Sequence, residues 1–481
     1  MKNTPFYKSV LGQKYLLCLA FILPLLYWLY LALIAEMLIV HDSIGYEQLG
    51  SLLARHEWLE YFKGGPNREP LYPLTISLSM QIADLFSISY HAVQKIIQIL
   101  IVLLTQFLAL SLLRRLKIHP LLSAATILYL GFSPVIVNSI FNIYSEVITY
   151  PLVLGIILVN LKCADALVRV AHNPDPKNRW GLLASWACLL SGLFVLMTFV
   201  KASFEIITLV FLMMYVSQFV QALNRKNKKL AVSLVTFMVC FLSFYGGILT
   251  GYKFMNKIYN GQFVLTDRGA SIFYGNTLRR VKPLTQQRLL VDLSYLPDPD
   301  GHFCQAHFGA EPCIFESYKQ SDIIAFHKSV ELQAQGFSIN QINQIFFKNS
   351  FQEIFRHPFQ YTFLTILESL RIFSWESTIP KFVVYPEWGE KIFGLSWLNR
   401  GLNFMMTVLT LLSLIYALFI FKIKSKNPAD RQVLSTILWF IGAYIFAHAP
   451  FLVILRHILP IVPLYLILTA FFVQKVYGTK Q

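Results

Sequence analysis

Long apolar runs separated by short polar connections recur along the chain, and the connections are of two kinds: some are cation clusters, others mix acids with aromatics. A bilayer-crossing helix needs about 20 mostly apolar residues. The runs 15–40, 91–113, 121–137, 148–161, 182–200, 204–220, 230–251, 402–420, 434–446 and 459–472 read as such spans. Cations cluster at Lys2, Lys8 and Lys14, at Arg114, Arg115 and Lys117, at Lys162, Arg169, Lys177 and Arg179, and at Arg225, Lys226, Lys228 and Lys229. Further clusters are Lys422, Lys424, Lys426 and Arg431, then Lys475 and Lys480. The positive-inside rule puts them all on the cytoplasmic side. Parity then requires that residues 71–89, which carry Pro73, Gln81 and Asp84, and the short apolar stretch 361–375, which carries Glu368 and Arg371, stay outside without crossing. The expected architecture is an all-α polytopic membrane protein of about ten transmembrane helices with both termini cytoplasmic. Its expected parts are a transmembrane module over 1–252, a small mixed extracytoplasmic domain with a juxtamembrane helix over 253–400, and C-terminal transmembrane helices over 401–481.

Composition agrees with the pattern. The 481 residues are 56% hydrophobic and 14% charged, too apolar for a soluble chain. The net charge of +16 sits in the short connections, so it reports orientation, and no nucleic-acid partner is implied. The first span is longer than a secretory apolar core and has no small-residue cleavage site, so it is expected to be retained. Of six cysteines, Cys18, Cys163, Cys188 and Cys240 lie in or beside apolar runs and have no metal-ligand spacing. Cys304 and Cys313 share the long polar segment 253–358 on the outer side, where a disulfide would persist. Within that segment SDIIAFHKSVELQAQ reads as an amphipathic helix. No Gly-rich phosphate cradle occurs, which argues against a soluble nucleotide donor.

The outer connections carry the candidate chemistry. The first, HDSIGYEQLGSLLARHEWLEYFKGGPNREPLYP, places Asp42 just past an apolar helix with Tyr46, Arg68 and Tyr72 nearby; an N-cap role for Asp42 is the simpler alternative. The second, NSIFNIYSEVITYP, holds one carboxylate, Glu146, which also suits a helix start. Lys201 lies at the next outer turn, with Glu205 four residues on as a possible ion-pair partner. Near the last span, FAHAPFLVILRHILPIVPLYLILTAFF carries Arg456 and His457. An arginine in an apolar stretch is costly unless paired or functional, and guanidinium grips phosphate in bidentate fashion.

Together these stretches resemble the GT-C glycosyltransferases, membrane enzymes using polyprenyl-phosphate sugars, among them protein mannosyltransferases and lipid A aminoarabinose transferases. Asp42 resembles the first-loop acid of that family, although Ser43 stands where many members carry a second acid, and Glu146 resembles the second-loop acid. LMTFVKASFEIITLV is similar to the family's Leu-Thr-Lys stretch, and Arg456 with Pro460 and Pro463 to its Arg-Tyr, Pro, Pro signature, His457 replacing the tyrosine. The resemblance implies interfacial helices in the first loop and a site at the periplasmic or extracytoplasmic face of the inner (plasma) membrane. It implies sugar transfer from a polyprenyl-phosphate donor to a glycan, lipid or protein acceptor, with Asp42 and Glu146 catalytic and Arg68, Tyr72, Lys201, Arg456 and His457 binding substrate. Asp42 would be the general base. Glu146 would orient the acceptor or join Asp42 on a divalent cation, though two carboxylates alone make a poor metal site. An O-antigen-type polymerase and a non-catalytic lipid-linked glycan transporter or flippase are the alternatives. A transporter calls for charges on both faces, whereas these residues concentrate on one.

Overall fold

The structure, a computed structural model, describes residues 10–172, 179–296, 301–374, 382–393, 396–422, 428–451 and 455–477. Helix α1 (Val10–Ile34) is followed by strand β1 (Glu36–Met37) and by the helices of the first long loop, α2 (Asp42–Ala54), α3 (Trp58–Lys63) and α4 (Leu71–Phe86). Then come α5 (Tyr90–Arg115), the bent pair α6 (Pro120–Phe132) and α7 (Pro134–Phe141), α8 (Glu146–His172), α9 (Arg179–Val200), α10 (Phe204–Asn224) and α11 (Lys228–Asn260). The middle of the chain folds as α12 (Gly269–Arg280), α13 (Gln286–Ser294), α14 (His302–Phe308), α15 (Ala310–Phe315), α16 (Tyr318–Ala334), α17 (Ile339–Arg356) and α18 (Pro358–Ser369). Strand β2 (Val383–Val384) and α19 (Glu387–Phe393) precede α20 (Ser396–Lys422), α21 (Pro428–His448) and, after a 3-10 turn over Leu455–Ile461, α22 (Val462–Tyr477).

Among the described residues seven helices are long and apolar enough to cross a membrane, α1, α5, α8, α9, α10, α11 and α22 with its leading turn, or eight if the α6–α7 pair, bent by 47°, is one span. The protein is therefore an all-α, multi-pass membrane protein. The expected spans at 402–420 and 434–446 are helical but fall short of that standard. The apolar part of α20 is Phe404–Phe419, and α21 carries Asp430, Arg431, Gln432 and His448. Neither α4, with 16 residues, nor α18, with 12, is long enough to cross.

Local chemistry explains the irregular points. Pro134 supplies no N–H, so the helix that begins at Pro120 cannot run on through it and restarts at an angle. Trp28 Nε1 of α1 donates to Gly131 O at 2.8 Å, and a Cβ on Gly131 would overlap Pro24, so only glycine allows this crossing. Between α7 and α8 the backbone leaves the helix inside the protein. There Gln98 Nε2 of α5 donates to Ile140 O at 2.7 Å and Asn142 O at 3.0 Å, the satisfaction such a break requires at depth. That break sets the start of α8 at Glu146.

The segment expected as a mixed domain from residue 253 differs in two ways. Helix α11 continues to Asn260, and its 33 residues give a length of about 50 Å, well beyond a hydrocarbon core of about 30 Å. Its last turn packs on the first loop, Phe62 stacking on Tyr259 at 5.9 Å. The described residues between α11 and α20 are helical, with one two-stranded antiparallel contact in which β2 pairs with β1 of the first loop. Cys304 and Cys313 form the expected disulfide, buried with Val291 and Tyr295. Gly275 of α12 lies so close to Ser321 O of α16 that a Cβ would overlap it. The domain is fastened to the C-terminal helices by Arg280 Nη1 and Tyr361 Oη, which both donate to Pro450 O, at 2.8 and 3.0 Å.

Candidate active site

Asp42 is the first residue of α2, and His41 before it holds φ 51°, ψ −118°, a strained conformation for a residue with a side chain. The carboxylate does not cap the helix. Arg68 Nη2 donates to Oδ1 at 2.7 Å, and Arg456 Nη2 reaches Oδ2 at 2.6 Å. Arg68 comes from the loop before α4 and Arg456 from the turn before α22, so residues far apart in the chain close on one carboxylate.

Glu146, the first residue of α8, takes Lys201 Nζ on Oε1 at 2.8 Å, and Arg456 Nε lies 3.9 Å from the same oxygen. Arg456 thus bridges the two acids. The ion pair expected between Lys201 and Glu205 does not form, because Glu205 is taken by Lys253 at 2.5 Å. Aromatic rings support both guanidiniums: Arg68 lies 5.2 Å from the centroid of Tyr46 and Arg456 5.5 Å from that of Tyr144. Glu69, next to Arg68, accepts from Ala202 N at 2.9 Å and so ties the first loop to the Lys201 turn.

Five of the seven residues expected at the site therefore converge: Asp42, Arg68, Glu146, Lys201 and Arg456. Tyr72 does not join them. It is wholly buried, stacks edge-on against Tyr46 at 4.9 Å, and gives its hydroxyl to Gln98 Oε1 at 2.9 Å, so it positions Tyr46 and cannot touch a substrate. The side chain of His457 lies outside the described residues.

Burial opposes charge on Asp42, yet Arg456 and Arg68 outweigh it and hold the carboxyl below the usual range. Burial likewise opposes charge on Arg456, and Glu146 with Asp42 overcomes it, so the guanidinium stays charged. Glu69 is raised, because its burial exceeds the help from the Ala202 N–H, Lys201 and Arg68. A fourth acid, Asp322 of α16, comes within electrostatic range of Asp42 and Arg456, its proton affinity raised by burial and by Asp42. Sequence reasoning missed Asp322 and Glu69; the first lies far from the other site residues in the chain, and the second carries no pattern beyond adjacency to Arg68.

The arrangement presents three cations, Arg68, Lys201 and Arg456, around two carboxylates that are both engaged by them. It suits a tetrahedral anion whose oxygens can replace those carboxylates as partners. It does not suit a divalent cation, since Asp42 and Glu146 offer no free pair of oxygens. A second acid group, Asp292, Glu316 and Glu368, has metal-ligand spacing among the described residues, but guanidiniums of Arg279, Arg280, Arg288 and Arg371 interleave with it and take the place of a metal. Compared with family models, curated proteins and solved structures, the chain matches none.

Proposed function

We propose that this protein is a membrane glycosyltransferase of the GT-C kind, moving a sugar from a polyprenyl-phosphate donor to an acceptor hydroxyl or amine. The observation that carries this reading is the placement of Arg456, one guanidinium bridging Asp42 and Glu146 with Lys201 and Arg68 beside it. The reading includes about ten crossings of the inner (plasma) membrane, α20 and α21 among them, with the site on the extracytoplasmic face, a sidedness that the clustering of cations in the other connections supports.

In the resting arrangement Asp42 is a weak base, both oxygens being held by arginines. A donor phosphate draws Arg456, Arg68 and Lys201 onto its own oxygens and releases Asp42, whose proton affinity then rises. The acceptor oxygen or nitrogen attacks the anomeric carbon as the bond from that carbon to the phosphate oxygen breaks. The acceptor proton passes to Asp42, the electron pair of the broken bond stays with the phosphate, and the three cations stabilise it. A single displacement inverts the anomeric centre. Glu146, released by Lys201 beside the base, orients the acceptor.

The test is purified full-length protein in lipid nanodiscs with a panel of polyprenyl-phosphate sugars, monitoring release of polyprenyl phosphate. Release by the wild type and a fall of about 100-fold in Asp42→Asn are expected. Folded protein that neither binds nor turns over any member of the panel contradicts the reading, and activity undiminished in Asp42→Asn removes the base.

A further inference from the structure

Helix α17 turns its buried face, Ile342, Phe346 and Ser350, toward the extramembrane domain, where Phe346 stacks on Tyr274 at 4.3 Å. By helical periodicity the outward face then carries Gln344 in its first half and Phe355 at its end, with the half-exposed Phe347 and Phe351 between them, each resting one edge on Phe273 of α12 at 6.0 and 5.5 Å. The ridge continues across Pro358 into α18 as Phe359, Phe363 and Ile366. Exposure climbs toward the elbow, from 41% at Phe347 through 51% at Phe351 to 81% at Phe355 and 68% at Phe359. An aqueous domain has no reason to place its bulkiest apolar side chains at its most exposed point.

We infer that the elbow between α17 and α18 is a monotopic membrane anchor, its phenylalanine ridge seated in the acyl region of the leaflet on the candidate site's side. Three observations select lipid as the occupant. The ridge joins the membrane belt: α18 runs into the turn Leu370–Phe373, where Tyr465 of the spanning helix α22 donates to Ile372 O at 3.3 Å and its ring lies 6.2 Å from that of Phe373. Lys348 and Arg356 flank the phenylalanines, Arg356 also pairing with Glu353 at 2.7 Å, a border whose lysine suits anionic headgroups. The change along α17 from a polar to an aromatic outward face is that of a helix dipping at one end into an interface.

The leaflet side is set by the fold. Tyr361 of α18 donates to Pro450 O, in the turn leading to Arg456. The anchor thus holds the extramembrane domain down beside the site. This inference does not depend on the glycosyltransferase reading.

Spin labels test it in the full-length protein, in nanodiscs holding one copy, with the four cysteines outside the disulfide replaced. Labels go on Phe355→Cys and Phe359→Cys, with Gln344→Cys as the aqueous reference and Leu104→Cys, on the exposed side of spanning helix α5, as the lipid reference. At 355 and 359, collision with oxygen should exceed collision with a water-soluble nickel chelate, as at 104, with the ratio reversed at 344. Nickel access at 355 and 359 equal to that at 344 overturns the anchor. Shielding from both reagents overturns it as well, since a protein contact would then cover the ridge.

Discussion

The arginine–carboxylate cluster inside the extramembrane domain and the one around Asp42 use the same pair of side chains under opposite conditions of solvent access. In the domain, Arg279 joins Glu316 at 2.9 Å and Glu368 at 2.5 Å, Arg280 grips Glu368 at 2.7 Å, Arg288 closes on Glu316, and Arg371 on Asp292. The side chains of Arg279, Arg280, Glu316 and Glu368 are at most 3% exposed, whereas at the site Arg456 is 29% and Asp42 20% exposed. Burial opposes charge on Glu368, but Arg279, Arg280 and Arg371 hold it well below the carboxylate range. With Arg279, Arg280, Glu316 and Glu368 closed off from solvent, the network holds α12, α13, the end of α15 and α18 together. Around Asp42 each arginine touches the acid through a single nitrogen, and Arg456 is the more open of the two at 29% against 14% for Arg68, so an incoming phosphate can take it over. The exposure of Asp42 and Arg456, not composition, sets this cluster apart from the one inside the domain.

The largest effect that should separate them is on stability. Glu368→Gln leaves Arg279 and Arg280 buried without their shared counter-charge and should cost about 3–5 kcal/mol, enough to prevent folding or lower the unfolding temperature sharply. Asp42→Asn, at a wetter site, should cost about 1 kcal/mol or less by the same measurement. Equal losses would erase the distinction. Next in size, the Cys304–Cys313 bridge, spanning nine positions, should contribute roughly 2–3 kcal/mol. Reductant should therefore destabilise the extramembrane domain and leave the proposed donor binding around Asp42 in place; if donor binding fell with it, the two regions would be one unit.

The smallest effect concerns pH. Asp42 has a lowered folded value, so its stabilisation is complete above the ordinary carboxylate range near 4 and is lost only as pH falls through the lowered value. Glu69 has the opposite sign. Its folded value is raised, so its contribution is fully present below the ordinary value and is lost as pH rises through the raised one. Glu69→Gln keeps an acceptor for the Ala202 N–H and should be neutral or stabilising by about 1 kcal/mol at pH 7 relative to wild type, with the difference vanishing near pH 4. A destabilised variant at pH 7 would make Glu69 a working anion of the cluster.

Much of the site was legible because its residues interrupt strong patterns. Asp42, Glu146 and Arg456 are charges at the ends of apolar runs, where each is costly and so conspicuous, and Lys201 ends one run at the start of the next. Their partners were less so: nearest-neighbour reasoning paired Lys201 with Glu205, but Lys253, 48 residues on, competes for that acid and Glu146 takes the lysine. Tyr72 had the right neighbours in sequence and the wrong depth, since helix α4 turns it inward. Of the buried network only Glu368 and Arg371 showed, as charges in a short apolar stretch, because its members lie between Arg279 and Arg371 at no fixed period. The extent of α11 was missed because hydropathy ends at the membrane surface, while the helix continues through Lys253, Lys257 and Asn260 until Gly261 stops it at φ 70°.

The central claim is that Asp42 and the donor phosphate compete for the same arginines. It is tested most directly by measuring the affinity of purified Asp42→Asn for the polyprenyl-phosphate sugar that the wild type turns over. With the competing carboxylate neutralised, the variant should bind that donor as tightly as wild type or tighter, while Arg456→Ala binds it at least about tenfold more weakly through loss of a charge-assisted contact. Weaker donor binding by correctly folded Asp42→Asn would contradict the claim, because it would make the carboxylate a ligand of the substrate and not its rival.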